Sequence, residues 1–281
     1  MESKGGKYLK NIGAVFGYLA LHLGVQVACG TVLTILFMIS AIASGRAANM
    51  EELAVKMLQD NSTLILIFSS AVTLLTVFLI ARSRREGFGS FCGFARIPAR
   101  EAALCLLAGV AGNVWLSMLL YMLPIPASVM EQYGEAYSAL TSSVPWLDAL
   151  ATVLAAPLVE EVIYRGLIMK HLGRIMPVAA AVAVQALLFG AGHGALLWIA
   201  YAAAIGVIMA YIRVVTGSLW SSLLFHIAFN ASAYLVDWLA ENVLTDASLP
   251  GVLAASAAAL GLLLFAVYRS ASRREQSGAE L

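Results

Sequence analysis

Residues 175–213, IMPVAAAVAVQALLFGAGHGALLWIAYAAAIGVIMAYIR, run for 39 positions with no charged side chain before Arg213. At 1.5 Å per residue a helix of that length is about 58 Å long, close to twice the ~30 Å hydrocarbon core of a bilayer. The stretch therefore predicts two membrane-spanning helices, 175–193 and 195–213, with almost nothing left for a loop. The turn falls at GAGHG (190–194), whose alternating glycines let a backbone break or approach a neighbour closely. A turn sunk below the membrane surface is tolerated only where it is buried in protein or lines a wet cavity, which places His193 beside such a cavity.

Working outward, further apolar runs lie at 12–44, 61–81, 102–126, 147–170, 218–239 and 250–268. With the central pair they make eight spans, so the fold class is an all-α, polytopic transmembrane helical bundle. Composition agrees. The chain has 281 residues, 61% of them apolar and 12% charged, against about 45–50% and about 25% in ordinary soluble domains. The first run is long enough to tilt, to kink at Gly24 or Gly30, or to emerge from the bilayer as helix. Its basic leader, MESKGGKYLKN, and its length predict a retained signal-anchor helix rather than a cleavable signal.

Lys and Arg set the orientation, because cytoplasmic loops are enriched in them. With the N-terminus inside, 15 of the 17 Lys and Arg fall in inner segments, and only Arg46 and Lys56 fall outside. The C-terminus is then also inside, and a multi-pass protein of the cell membrane is expected. No internal repeat is visible, so 1–281 reads as one membrane domain. Segment 82–101 is the longest basic loop, and 127–145 is a polar outer segment with room for a short amphipathic helix. A net charge of +1 and the lack of basic clusters interleaved with aromatics exclude a nucleic-acid binder. Cys29, Cys92 and Cys105 have neither disulfide-framework nor zinc-ribbon spacing.

A charged side chain at the centre of a membrane helix costs at least about 2.5–3.5 kcal/mol, so each one demands a reason. Glu160, Glu161 and Arg165 lie in the fourth run, His193 ends the fifth, and His226 and Asn230 lie in the seventh. Glu160 and Glu161 diverge by about 100° on a helix, so they cannot share a face. Glu161 and Arg165, spaced i, i+4, can pair along one face and leave Glu160 free. His226 and Asn230, also i, i+4, can present two donors to one oxygen, as an oxyanion site requires. Taken singly, the carboxylates also read as structural, and the His/Asn pair as glue between helices. His22, Gln26, Asn113 and Gln185 read as partners in interhelical hydrogen bonds. Residue counting leaves one difficulty, since His193 falls near the outer end of its span while Glu160 and His226 fall nearer mid-membrane. They meet if the fifth span begins as an interfacial turn near Gly173 and Pro177 and then tilts.

Elimination narrows the chemistry. No HExxH contains any of the histidines, and GxSxG and GxGD are absent, which disfavours zinc, serine and aspartyl intramembrane proteases of those types. What remains is Glu, two His and Asn. In this order VEEVIYRG (159–166), FGAGH (189–193) and HIAFN (226–230) resemble the EExxxR, FxxxH and HxxxN/D motifs of the CPBP family, the CAAX-protease and bacteriocin-processing (Abi) membrane proteases. TGSLWSSLLFH (216–226) resembles that family's approach to its third motif. The resemblance covers 147–235, the expected catalytic core.

The resemblance implies an intramembrane endopeptidase acting on a membrane-associated or C-terminal CAAX-like protein or peptide substrate. Glu160 matches the catalytic carboxylate that activates water together with His193. His226 and Asn230 match the oxyanion pair, and Glu161 and Arg165 match the residues that brace the site. Glu160, His193 and His226 would also supply the three ligands of a catalytic Zn2+. The same groups work without a metal, and a neutral amide such as that of Asn230 is a good donor and a poor zinc ligand, so the reading adopted is no tightly bound metal. The competing functions are a non-proteolytic immunity or scaffold protein that keeps the fold, and a small proton-coupled transporter. Intact site residues disfavour the first, and the lack of a repeated half disfavours the second.

Overall fold

The computed structural model describes residues 3–45, 49–139 and 144–276, and among them the chain is all helix. Arg46, one of the two cations expected outside, lies beyond the described residues. Helix α1 (Lys4–Ala43) is capped by the Ser3 hydroxyl, which accepts from the Gly6 N–H at 3.1 Å. It is one helix through Gly24 and Gly30 for 40 residues, about 60 Å, twice the thickness of a hydrocarbon core. Helices α2 (Met50–Asp60) and α3 (Ser62–Ser83) follow, then the short α4 (Phe88–Cys92), α5 (Ala99–Met122) and α6 (Ala127–Ser138). The amphipathic helix expected in 127–145 is thus present as α6. Residues 145–172 form one continuous helical run, α7, and α8 (Val178–Ala191), α9 (Leu196–Thr216), α10 (Leu219–Asn242) and α11 (Leu249–Gln276) complete the chain.

Six of these helices, α1, α3, α5, α9, α10 and α11, are long and apolar enough to cross a membrane. The protein is a multi-pass integral membrane protein. Large apolar side chains such as Phe16, Val27, Leu75, Leu187 and Leu262 are exposed, as lipid-facing residues are. Helix α5 is the central packing element, with α10 and α11 laid along it. The approach to α10 is close because position 109 is glycine, and a Cβ there would meet the Phe225 carbonyl oxygen and the Ala228 methyl.

The basic segments gather at one end of the bundle. Lys170 donates to the Phe91 carbonyl at 3.0 Å, His171 Nδ1 donates to Asn11 Oδ1 at 2.8 Å, and Arg274 donates to the Thr216 carbonyl at 2.6 Å. The Leu219 N–H donates to the Gly93 carbonyl at 2.9 Å. The Ser218 hydroxyl caps α10 by accepting from the Trp220 N–H, and it donates to the Ala95 carbonyl. Loop 84–98 is therefore a docked connector. At the other end the Thr63 hydroxyl donates to Asp148 at 2.7 Å.

The depth difficulty is resolved by helix length. Residues 173–177 form the expected turn, and α8 starts at Val178 and ends at Ala191 after 14 residues, a rise of about 21 Å. Counted from the same turn, Glu160 lies twelve residues back along α7, at most about 18 Å. His193 therefore reaches the level of Glu160 because its helix stops short of a full span. The reversal into α9 uses Gly194 at φ 80°. A second glycine holds α8 on α9, since a Cβ at Gly190 would stand 2.6 Å from the Ile199 carbonyl oxygen.

Candidate active site

The site is built on α7, and α7 is irregular for a reason in its sequence. Pro157 has no N–H, so one carbonyl of the preceding turn must lose its partner. Residues Leu150–Ala155 are wound as π-helix, in which bonds run from i to i−5, and the Ala156 N–H donates to the Ala151 carbonyl. In that register the carbonyl of Thr152 faces position 157, where the donor is missing. The vacancy is filled from another helix, as Asn230 Nδ2 donates to the Thr152 carbonyl at 2.7 Å. A proline on α7 thus anchors an amide on α10. An amide nitrogen carries two protons, so one N–H of Asn230 stays free. The Thr152 hydroxyl donates to the Asp148 carbonyl at 2.8 Å and lies 3.4 Å from the Tyr234 hydroxyl.

A second π segment, Glu161–Ile168, follows Glu160, and all eight of its residues are buried. The expected ion pair is here, with Arg165 Nη1 donating to Glu161 Oε1 at 2.9 Å and both side chains fully buried. Glu161 Oε1 also accepts from His226 Nδ1 at 3.1 Å. The other nitrogen of that ring, Nε2, is 3.7 Å from Glu160 Oε2. The two carboxylates diverge as neighbours on a helix must, yet they reach one imidazole from its two sides. Glu160 is partly exposed, at 19%, whereas Glu161 is at 0%. Only Glu160 of the two is open to water.

Phe189 joins the third motif residue to this cluster. Its carbonyl accepts from His193 Nδ1 at 2.9 Å, which leaves Nε2 of His193 as the acceptor nitrogen. Its ring stands edge-on to His193 at 4.8 Å and to His226 at 6.0 Å, while the Arg165 guanidinium lies over its face at 4.0 Å. Glu160 and His226 are both within electrostatic reach of His193. Glu160, His193 and Asn230 are half-buried, and His226, Glu161 and Arg165 are buried beside them. All six residues singled out in the sequence are thus in one cluster. No three His, Cys, Asp or Glu among the described residues converge as ligands around one point. Nδ1 of His226 is committed to Glu161, which leaves Nε2 as the ring nitrogen that faces Glu160.

Three neighbours were not read as site residues. His22 on α1 is buried, stands edge-on to Tyr164 at 6.1 Å and is within electrostatic reach of Glu160. Tyr164 stands edge-on to Phe189 at 5.3 Å. Trp198 at the start of α9 lies 5.5 Å from His193 and is covered by Tyr133 of α6 at 5.9 Å. The expectation of an interhelical hydrogen bond is corrected for Gln185. His22 Nδ1, Asn113 Oδ1 and both side-chain polar atoms of Gln185 are buried without a hydrogen-bond partner. Composition alone could not separate a polar residue that is bonded from one that faces a site.

The fold and the cluster define a membrane protein with a partly exposed carboxylate, two histidines and an amide inside its helix bundle. Residues 142–232 match the family described as Rce1-like, type II CAAX prenyl endopeptidase Rce1-like. The matched segment contains α7, α8 and α9 and reaches past Asn230 on α10, so it holds all three motifs. The chain is thus similar, over about a third of its length, to type II CAAX prenyl endopeptidases of the Rce1-like family. Neither the curated proteins nor the solved structures compared with the chain gave a match.

Proposed function

We propose that the protein hydrolyses a peptide bond near the C-terminus of a membrane-associated protein by a glutamate mechanism. The observation that carries this reading is the 3.7 Å approach of Glu160 to His226 Nε2 with Asn230 anchored on the same helix as His226, and on this reading the half-buried Glu160, His193 and Asn230 line a wet recess. Water in the recess gives a proton to Glu160 and a hydrogen bond to His193 Nε2, and its oxygen attacks the scissile carbonyl carbon. The carbonyl oxygen becomes an oxyanion held by the free N–H of Asn230 and by His226, which as a donor there carries protons on both nitrogens. Collapse breaks the C–N bond, and Glu160 returns its proton to the leaving amine. Glu161 and Arg165 touch no substrate and fix the His226 ring.

The test is cleavage by the purified, reconstituted protein of lipid-modified and unmodified C-terminal peptides, with products read by mass spectrometry beside Glu160→Gln. New termini made by the wild type alone are expected, and their absence across all peptides would remove the C-terminal substrate class. The anchoring of Asn230 has its own test. Pro157→Ala restores an N–H that competes for the Thr152 carbonyl, so kcat is expected to fall about fivefold, the worth of about one hydrogen bond, with KM nearly unchanged. An unchanged kcat would show that the amide needs no such anchor.

A further inference from the structure

Away from the catalytic cluster, the basic end of the bundle contains a recess of about 230 Å³ between the start of α5 and the last turns of α11. It is lined by Arg100, Phe265, Ala266, Arg269, Ser270 and Arg273. The nearby carboxylate is already matched, because Glu101 lies 3.6 Å from Arg274 Nε and accepts from the Ser270 hydroxyl at 3.3 Å. Among the described residues Arg100, Arg269 and Arg273 have no ion pair. Three surplus positive charges therefore face one small recess.

Its other wall is hydrocarbon. The Arg269 guanidinium lies over the Phe265 ring at 5.8 Å, and Phe265 and Leu262, one and two turns deeper on a membrane-spanning helix, are 54% and 70% exposed. A soluble phosphate would use only the arginines, and a soluble protein would have to cover a lipid-facing flank. An amphiphile with an anionic head uses both walls. We propose that this recess is a binding site for an anionic phospholipid, with the phosphate among Arg100, Arg269 and Arg273 and an acyl chain along Phe265 and Leu262. The site is independent of the proteolytic reading.

The test is native mass spectrometry of the full chain in detergent, titrated with phosphatidylglycerol or with phosphatidylcholine of the same acyl chains. Each arginine near an anionic headgroup is worth about fivefold in affinity, so the wild type is expected to prefer phosphatidylglycerol by more than about tenfold. R100Q/R269Q/R273Q is expected to lose that preference, while R82Q/R85Q/R96Q, which removes the same charge elsewhere at this end, keeps it. Equal loss in both triple variants would show a diffuse field and overturn the site. Displacement of the lipid by glycerol phosphate or inorganic phosphate at equal concentration would show a soluble-phosphate site and overturn the lipid assignment. The single variant R269Q, which alters one exposed side chain, is expected to lose about fivefold if the triple variant fails to fold, and an unchanged preference in it would count against the proposal.

Discussion

Glu160→Gln is expected to yield folded protein without detectable turnover, whereas Glu161→Ala is expected to yield little folded protein. The two residues are adjacent and chemically identical, so the contrast rests on their surroundings. Glu160 is partly exposed and no Lys or Arg pairs with it, and on its loss His226, 3.7 Å away, keeps its bond to Glu161, so the amide of glutamine takes the place of the carboxylate without unseating the ring. What is lost is the base, which is worth about 10²–10⁴ in rate. Glu161 is fully buried, and its Oε1 accepts from both Arg165 and His226. Arg165 Nε and Nη2 have no hydrogen-bond partner, so without Glu161 the guanidinium keeps only the face of Phe189. Removing one partner of a buried pair costs about 3–5 kcal/mol, a large part of a typical domain's stability. Thermal unfolding and yield in detergent measure the second effect, and a cleavage assay measures the first. A Glu161→Ala protein that is folded and fully active would remove the bracing role, and a Glu160→Gln protein that turns over would remove the base.

The motif residues were legible because side-chain spacing survives changes in helix winding. Glu161 and Arg165 pair at i, i+4 although the segment is π-helix, and His226 and Asn230 stand one turn apart on a regular α-helix. What hydropathy could not show is where a helix ends inside a uniform apolar run. Residues 175–216 hold a 14-residue helix and a 21-residue helix, and the short one sets the depth of His193. Pro177 and the glycines at 192 and 194 mark those ends in hindsight, but a membrane helix tolerates both residue types in its interior. Pro157 is similar. Its missing N–H was visible in the chain, yet the helix that would supply the replacement donor was not.

His22 shows the same limit from the other side. As a histidine in an apolar helix it has many uses, and its position beside Tyr164 and Glu160 depends on how α1 packs on α7, which no local pattern encodes. The surplus arginines of α11 were read only as topology signals. Their grouping with Arg100 across a helix pair comes from the α5 and α11 packing.

Asn230→Ala is expected to lower kcat by about 10²–10³ while KM stays within a few fold, because a donor to the developing oxyanion acts on the transition state and not on the bound substrate. The Thr152 carbonyl that it leaves unpaired costs about 1–3 kcal/mol in stability, so activity must be compared at a temperature where both proteins are folded. A zinc mechanism makes a different set of demands. Glu160, His193 and His226 would each have to turn a lone pair to one point, with Asn230 outside the ligand set, and loss of His226 would then eject the metal. On the glutamate mechanism 1,10-phenanthroline inhibits weakly or slowly, and metal analysis of active protein finds well under one zinc per chain. His226→Ala then loses activity that no added metal restores, because the missing group is a donor held by Glu161 and not a ligand. Stoichiometric zinc in the wild type, lost together with activity in His226→Ala or on chelation and regained with added metal, would replace the glutamate mechanism with a metal-bound hydroxide. The likeness to the Rce1-like family would survive that result, since it rests on the matched segment 142–232 and not on the identity of the group that activates water.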